Sequence, residues 1–345
     1  MTKLLGMTPE ELGTVALAAG LRPFAARQMA QWLYVRRVDN IDMMTDLSKK
    51  SRSWLRDHGY TVGRHKPIKE ARSADGTVKY LFAGVGGRDI EAVYIPDRER
   101  ATLCVSSQAG CRMGCRFCMT GQGGWQGNLD AADILNQILS IPESDTLTNI
   151  VFMGMGEPAD NVDAVLRTID VLTAKWGFAW SPKRITVSTI GKQPGFSRLL
   201  DEAQTHIAVS LHSPYTVERA SIMPVEKAFP EKQIIETLRK YDFAHQRRLS
   251  FEYTMFEGLN DSVRHADALA HLIKGTSGRV NLIRFHRTPG FEGRPSSQET
   301  MEQFRDRLND AGITATIRAS RGEDIMAACG MLAGEAAQQT KQQTK

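Results

Sequence analysis

Six short apolar segments alternate with helical segments from residue 101 onward, and this alternation constrains the fold more than any other feature of the chain. The predicted strands are 101–107, 149–154, 184–190, 206–211, 249–256 and 279–285. The predicted helices are 131–140, 161–175, 196–203, 231–241, 263–274 and 298–310. Apolar strands joined by helices favour a parallel sheet that is covered on both faces. We therefore predict an α/β fold, a partial (βα)6 barrel of the TIM type, with its active site at the C-terminal ends of the strands.

Three cysteines follow the first predicted strand, and their spacing indicates a metal cofactor. Cys111, Cys115 and Cys118 form a Cys-x3-Cys-x2-Cys run. Three thiolates on one loop can hold three irons of a [4Fe–4S] cluster and leave the fourth iron open for reaction. This spacing resembles that of radical S-adenosylmethionine (SAM) enzymes, in which SAM occupies the open iron. The alternative is a zinc site, but its fourth ligand is not evident, since His206 and His212 lie far along the chain and no second Cys-x2-Cys run exists.

The segments outside the barrel are expected to form three further units. Residues 1–65 carry helical patterns and are expected to form a small helical accessory domain that binds RNA. Residues 66–100 are expected to form a β-hairpin linker before the barrel, which with its final loop spans 101–333. Basic residues cluster at 49–72, which suits either a solvated face or contact with RNA phosphates. Residues 334–345, rich in Gln, Lys and Thr, are expected to be disordered.

Composition narrows the class of protein. The 345 residues carry a formal net charge of +5, which permits an acidic partner such as RNA without requiring one. No apolar run reaches membrane-spanning length and no signal peptide is apparent, so no membrane association is expected. Five cysteines, three of them packed together, favour metal or redox chemistry in a reducing cytoplasm over a disulfide framework. A cytoplasmic protein is therefore expected.

Polar residues end three further strands at the edge where a barrel active site lies. Glu157 follows the second strand in Gly-Met-Gly-Glu-Pro, where glycine lets a backbone approach a ligand closely and the acid can accept a hydrogen bond from an amine. Ser188 ends the third strand, and Ser210 begins a Ser-Leu-His string at the end of the fourth. The alternative is a tight turn with structural polar residues. In this setting we interpret Glu157 as a contact for the SAM amino group and His212 as a cofactor contact.

Five strings of sequence together resemble the RlmN/Cfr family of radical SAM RNA methyltransferases, over residues 4 to 333. They are Cys104–Cys118, Gly-Met-Gly-Glu-Pro at 154–158, Ser210-Leu-His212, Asp89–Pro96 and Arg321–Leu332. The resemblance implies one [4Fe–4S] cluster, SAM, and an external electron donor such as flavodoxin. It also implies methylation of C2 of an adenosine in 23S ribosomal RNA, with transfer RNA as a further candidate substrate, by a monomer.

The resemblance also implies roles for three residues outside the cysteine triad. Cys329 would carry a methyl group taken from one SAM, and a radical from a second SAM would take hydrogen from that methyl. The carbon radical would add to the adenine, which is too electron-poor at C2 for ordinary methylation. Glu91 would then remove the ring proton as general base. Cys104 would attack the sulfur of Cys329 and release the product by a disulfide.

One expected SAM contact departs from the family pattern. The resemblance implies that Gly156, Glu157, Ser188, Ser210, Leu211 and His212 contact SAM. The family string Asn-Leu-Ile-Pro-x-Asn appears here as Asn-Leu-Ile-Arg284-Phe-His286. An imidazole can still make one hydrogen bond in a similar place, so His286 is retained as a SAM contact.

Three other hypotheses stay open at this point. The nearest is methylation at C8 of the same adenosine, which would confer resistance to antibiotics that target the ribosome. Another is a radical SAM enzyme acting on a protein or a small molecule, which would not need the thiol of Cys329. The third is a zinc-dependent RNA-binding module without enzyme activity, which would contain zinc and no iron.

Overall fold

The computed structural model describes residues 1–243 and 247–333, so the tail expected to be disordered lies outside the described residues. The strands are β1 (Thr2–Lys3), β2 (Tyr60–Thr61), β3 (Lys69–Arg72), β4 (Val78–Phe82), β5 (Ile90–Asp97), β6 (Arg100–Cys104), β7 (Gln108–Gly110), β8 (Trp125–Asn128), β9 (Asn149–Phe152), β10 (Ile185–Thr189), β11 (His206–Ser210), β12 (Leu249–Met255), β13 (Arg279–Arg284) and β14 (Ala315–Ile317). The α-helices are α1 (Pro9–Ala18), α2 (Ala25–Ala30), α3 (Lys49–Asp57), α4 (Met119–Gln122), α5 (Ala131–Leu139), α6 (Val162–Thr173), α7 (Gly195–Glu202), α8 (Thr216–Ile222), α9 (Glu231–Leu238), α10 (Val263–Ile273) and α11 (Gln298–Asp310).

Ten of these strands form one open sheet in the order β14-β13-β12-β11-β10-β9-β6-β5-β4-β3. Strand β6 and the six strands β9 to β14 pair in parallel, and helices connect each one to the next. Val187, Ile207 and Phe251, on three central strands, are completely buried, as expected when both faces of a parallel sheet are covered. The predicted partial barrel is therefore confirmed.

The predicted barrel elements agree closely with the observed ones. All six predicted strands and all six predicted helices are present, and their ends differ from the observed bounds by at most three residues. The structure adds a seventh parallel strand, β14, which pairs with β13 at the sheet edge. Its alternating Thr and apolar residues extend over only three positions, which is too short for the pattern to indicate a strand.

The predicted hairpin before the barrel is part of the same sheet. Strands β3, β4 and β5 pair antiparallel, and β5 then pairs antiparallel with β6, placing Val93 opposite Cys104. Glu91 lies on β5, one strand away from the beginning of the barrel. The hairpin therefore positions Glu91 against the barrel wall, while the domain boundary at residue 100 stays a prediction.

The N-terminal segment contacts the barrel beside α5 and α6. Strand β1 pairs in parallel with β2, and the Lys3 ammonium lies 3.0 Å from a carboxylate oxygen of Asp130, directly before α5. The rings of Tyr34 and Trp176 have centroids 5.5 Å apart, which joins the N-terminal segment to the end of α6. One hydrophobic core extends from Leu4 to Leu332, and a second, smaller one lies against the cysteine loop. Within the described residues, no helix combines the length and the apolar content needed to cross a membrane.

Candidate active site

The C-terminal ends of the parallel strands surround a cavity, and the cysteine loop forms one of its walls. The sequence candidates that line it are Cys111, Cys115, Cys118, Gly156, Glu157, Ser188, Ser210, His212 and Cys329. Apolar side chains complete the wall, among them Met113, Phe117, Phe152, Ile190 and Phe285. We call this space the cysteine cavity. The barrel thus gathers most of the candidate residues at the end where barrel active sites lie.

The cysteine loop is held by its own backbone. The Cys111 N–H donates to the carbonyl of Gly124 at 2.9 Å, and the Cys118 N–H donates to the carbonyl of Cys115 at 3.1 Å. The loop begins directly after β7 and ends where Cys118 starts α4. The three thiols are therefore carried on a backbone that the fold itself positions.

The thiols of the loop are poorly suited to remain as free thiolates. Burial raises the pKa of all three thiols, to about 12 for Cys115. A thiolate at Cys118 raises the pKa of Cys111 and of Cys115 further. A cationic iron–sulfur core would remove both penalties, because metal binding displaces thiol protons. This donor set therefore fits a cluster.

The arrangement of donors also suits a cluster. Within residues 1–243 and 247–333, no three His, Cys, Asp or Glu side chains converge closely enough to hold one metal ion. A cluster held by three cysteines does not require such convergence, since each thiolate binds a different iron.

The glycines of the Gly-Met-Gly-Glu-Pro string are required by packing within the protein. Gly156 has φ +102°, and a Cβ at this position would lie 2.6 Å from Cβ of Gln108. A Cβ at Gly154 would lie 2.7 Å from the carbonyl oxygen of Val105. The loop after β9 therefore packs closely against the residues that follow β6. The two glycines therefore let this loop pack against the protein's own backbone, and they also line the cavity.

Glu157 is a buried carboxylate with several protein donors. One oxygen accepts from the Thr189 hydroxyl and from the Ala159 N–H at 3.0 Å, and the other accepts from the Ile190 N–H at 3.1 Å. Burial raises the pKa of Glu157 to about 7, and these hydrogen bonds oppose the rise. A carboxylate has about four acceptor sites, so one site remains for a ligand amine at the cavity wall.

His212 is a neutral hydrogen-bond donor at the cavity wall. Its Nδ1 accepts from the Thr254 N–H at 2.9 Å, which places the proton on Nε2. Burial, and then the positive charge of Arg219, lowers the pKa of His212 to about 3. Its backbone has φ +61°, and its carbonyl accepts from the Asn260 amide at 2.6 Å. The side chain is therefore fixed and uncharged, as a cofactor contact requires, and is poorly suited to act as a base.

A buried arginine organises the Ser-Leu-His string. Arg219 is completely buried; its Nε donates to the carbonyl of Leu211 at 2.9 Å and its Nη2 to that of Ser210 at 3.0 Å. Its remaining Nη pairs with the carboxylate of Glu226. Sequence reasoning missed Arg219, because a single arginine on a helix of seven residues gives no sign of burial. The carbonyls at the end of β11 thus depend on a helix that follows it.

The two cysteines outside the triad lie close to each other. Cys329 is exposed to the cavity, while Cys104, the last residue of β6, is buried. Burial, and then a thiolate at Cys329, raises the pKa of Cys104 to about 12, and the Met153 N–H donating to its sulfur opposes the rise. All five cysteines are in the described part of the chain and are free, so the disulfide implied by the resemblance is absent from this structure.

An arginine that sequence reasoning missed lies beside both cysteines. A thiolate at Cys329 is the main cause that raises the pKa of Arg318, and Cys104 contributes as well. Arg318 Nη1 also lies 3.3 Å from a carboxylate oxygen of Glu252 and 3.5 Å from the sulfur of Met153. Glu252 could have been noticed in the sequence, because it is an acid within the apolar strand β12. Arg318 could not, because it follows β14, which the sequence pattern does not indicate.

Glu91 lies on the other side of the loop that carries Cys329. Its carboxylate is 3.0 Å from the Lys79 ammonium and accepts from the Ala333 N–H at 2.8 Å. It lines a separate cavity together with residues 324–326, whereas Cys329 and Gly330 line the cysteine cavity. The final loop therefore runs between Glu91 and the cysteines.

Two expected SAM contacts are not part of the cavity wall. Leu211 is completely buried beneath it. His286 is also buried, with Nε2 2.9 Å from the Ser320 hydroxyl and Nδ1 3.2 Å from a carboxylate oxygen of Glu323. His286 thus links the end of β13 to the final loop, and its contact with SAM stays a prediction.

Comparison with known proteins identifies the family. A profile described as the radical SAM superfamily matches residues 105–270, and one described as the ribosomal RNA large subunit methyltransferase N-terminal domain matches residues 2–60. A protein of Parabacteroides distasonis called a probable dual-specificity RNA methyltransferase RlmN is 57% identical over 330 residues, covering 96% of each chain. The chain belongs to the RlmN family.

More distant relatives extend this relationship. The dual-specificity RNA methyltransferase RlmN of Halorhodospira halophila is 41% identical, covering 96% of this chain and 94% of its own. The crystal structure of a radical SAM methyltransferase from Sphaerobacter thermophilus superposes with a TM-score of 0.90 at 39% identity, covering 96% of this chain and 99% of its own. As a radical SAM enzyme of the RlmN family, the protein uses a [4Fe–4S] cluster and SAM. This assignment removes the hypothesis of a zinc-dependent binding module.

Proposed function

We propose that the protein methylates C2 of an adenosine in 23S ribosomal RNA through a methylated Cys329, and that it also modifies transfer RNA. The observation that carries this proposal is that Cys329 lines the same cavity as the three cysteines of the loop. Relatives described as dual-specificity RNA methyltransferases support RNA as the substrate and more than one kind of RNA.

The cavity wall offers groups that hold and orient the cofactors. Cys111, Cys115 and Cys118 would hold the cluster, and Glu157 would accept from the SAM amino group. His212 would donate from Nε2, since its other ring nitrogen is occupied by a backbone N–H. When bound, the cluster supplies the electron that splits SAM, and SAM supplies the methyl group and the radical. Buried apolar side chains around the cavity exclude water from this chemistry.

Two cysteines and an arginine would carry out methyl transfer and release. The Cys329 thiolate takes a methyl group while facing the Arg318 cation. After the methyl carbon has joined the RNA, the adduct would first give up its unpaired electron to the bound cluster and its ring proton to Glu91. The Cys104 thiolate then attacks the sulfur of Cys329. A sulfur–sulfur bond forms and the sulfur–carbon bond breaks, and its electron pair passes to the RNA, which takes up a proton. A dithiol reductant then restores both thiols.

Glu91 would remove the proton from the adenine ring. Its carboxylate lies 3.0 Å from the Lys79 ammonium, which would hold it in place as the proton acceptor. Glu91 and Cys329 line different cavities on the two sides of the final loop, so the extruded base must enter where this loop lies. The hydrogen bond from the Ala333 N–H to Glu91 would therefore be exchanged when RNA binds.

The remaining segments would bind RNA, and a separate protein would supply electrons. We assign residues 1–65 to an RNA-binding accessory domain, 66–100 to the strand-rich linker with Glu91, and 101–333 to the barrel and final loop. The exposed Lys49, Lys50 and Lys66 would contact RNA phosphates. A reductant protein such as flavodoxin would deliver electrons to a cytoplasmic monomer.

Nucleoside mass spectrometry tests the function. Ribosomal and transfer RNA from cells with and without the gene are digested and compared with standards of 2-methyladenosine and 8-methyladenosine. The proposal predicts that 2-methyladenosine disappears from both RNA classes without the gene and returns with the wild-type gene but not with Cys329→Ala. A loss of 8-methyladenosine instead would establish C8 chemistry. Full activity of Cys329→Ala would show that the methyl group does not pass through this thiol.

A further inference from the structure

The end of the barrel opposite the cysteine cavity carries a ring of basic residues. Arg100, His206 and Arg279 are the first residues of β6, β11 and β13. Lys183 lies just before β10 and Arg248 directly before β12. These five residues, which we call the basal ring, line a second cavity of about 660 Å³ at the N-terminal ends of the strands. We call this space the basal cavity.

Four cations of the basal ring have no carboxylate partner in the described part of the chain. Among residues 1–243 and 247–333, the side chains of Arg100, Lys183, Arg248 and Arg279 form no ion pair or hydrogen bond. The carboxylate in the basal wall belongs to Glu252. It is already engaged by Arg318 at 3.3 Å, as well as by Ser250 and Asn281. The basal cavity therefore presents an excess of positive charge in a concave space, which attracts anions.

His206 adds a fixed neutral donor to the ring. Its Nδ1 accepts from the Arg248 N–H at 3.0 Å, so the proton lies on Nε2. Burial, and then the surrounding positive charges, the first of them on Arg248 and Arg279, lower the pKa of His206. The hydroxyls of Thr102 and Thr186 line the same space. Among the described lining residues, these cations and neutral donors therefore face no free carboxylate.

The basal cavity is shaped for a small ligand. Met153, Glu252 and Arg318 line both cavities and form the partition between them. The volume falls within the range of about 300 to 1,000 Å³ that is usual for small-molecule sites. Guanidinium groups approaching from several strands suit an oxyanion with several oxygens, which they can bind by paired hydrogen bonds.

We propose that the basal cavity binds a phosphate group, carried either by free inorganic phosphate or by a nucleoside monophosphate. The five residues of the basal ring take no part in the methyl-transfer scheme, which shares only Arg318, in the partition, with the basal cavity. It is therefore a second ligand site of the enzyme, at the end of the barrel where no reaction takes place.

Calorimetric titration of the full-length, cluster-loaded protein with orthophosphate, adenosine 5′-monophosphate and adenosine tests the proposal. Orthophosphate is expected to bind saturably at one site, and adenosine is expected not to bind there. Tighter binding of the monophosphate than of orthophosphate would identify a nucleotide as the source, and equal binding would identify free phosphate. Absence of saturable binding by either phosphate compound overturns the proposal.

Two paired variants locate the binding. Arg248→Gln with Arg279→Gln should weaken phosphate binding about tenfold or more, because each removes a charge-assisted hydrogen bond. Arg305→Gln with Arg307→Gln removes the same charge from α11, where both arginines already pair with carboxylates, and should leave binding unchanged. Equal binding by both double variants would place the phosphate elsewhere and refute the site.

The imidazole resonances of His206 give an independent reading in the wild-type protein. A bound phosphate adds negative charge beside the ring, so saturation with orthophosphate should raise the pKa of His206 measured by NMR titration. An unchanged His206 pKa under saturating phosphate would overturn the assignment even if binding is observed.

Discussion

Replacing Arg219 with Met should unfold the protein more easily and release the Ser-Leu-His string from its position. Arg219 is completely buried and donates to the carbonyls of Leu211 and Ser210 while it pairs with Glu226. Met fills similar space but leaves two carbonyls and one carboxylate without their donors. Breaking one side of a buried ion pair costs about 3–5 kcal/mol. For a chain of this size, we expect the melting temperature to fall by about 5 °C.

A matched variant separates loss of stability from loss of the site. Arg247 is also buried, and its guanidinium donates to the carbonyls of Leu199, Leu200 and Thr205 at 3.0, 2.7 and 2.9 Å; it lines the basal cavity and not the cysteine cavity. Arg247→Met should therefore destabilise the protein while leaving SAM affinity unchanged.

The assays are thermal unfolding and calorimetric SAM binding to cluster-loaded protein. Arg219→Met should weaken SAM binding about tenfold or more, since it displaces the residues that support His212. The reasoning is refuted if Arg219→Met unfolds within about 1 kcal/mol of wild type, or if both variants bind SAM equally.

Three further predictions follow from the same geometry. Burial holds the pKa of His212 near 3, so below pH 6.5 the unfolded state binds a proton that the folded state does not, and the free energy of unfolding should fall by about 3 kcal/mol by pH 4.5. In denaturant unfolding, His212→Asn should lose less stability between pH 6.5 and pH 4.5 than wild type, and an equal loss would contradict the assignment. Gly156→Ala should lower the free energy of unfolding in urea by about 2–4 kcal/mol, because the new Cβ would overlap Gln108 and the residue has a positive φ. An unchanged free energy would show that the loops carrying Gly156 and Gln108 can move apart without cost. Cys104→Ala should accumulate a covalent complex between protein and RNA through Cys329, visible on a denaturing gel, whereas normal turnover would remove Cys104 from the release step.

The barrel could be predicted because each of its units has a local signal. An apolar strand and an amphipathic helix are visible in the sequence, and parallel strands necessarily bring their C-terminal ends to one edge. This is why Cys111, Glu157 and His212 were expected together and are found lining one cavity. Strand β14 has no comparable signal, because three residues are too few to show a period.

The remaining features depend on contacts between distant parts of the chain. Arg318, directly after β14, reaches Glu252 on β12, and Glu91 binds the backbone of Ala333, 242 positions away. Neither pairing leaves a local pattern. Gly156 shows a related limit, since its need for glycine comes from Gln108 on a neighbouring loop, a contact that no spacing rule contains. The basal ring was missed for the same reason, because its residues lie at or just before the starts of five separate strands.

Mass spectrometry of the peptide that contains Cys329 tests the central claim most directly. The anaerobically reconstituted protein is incubated with SAM carrying an isotopically labelled methyl group, digested with trypsin, and the peptide 322–341 is fragmented. The account predicts one labelled methyl group on the sulfur of Cys329, and its transfer to adenosine when RNA and reductant are added. An unlabelled Cys329 in a protein that nevertheless methylates RNA would contradict it.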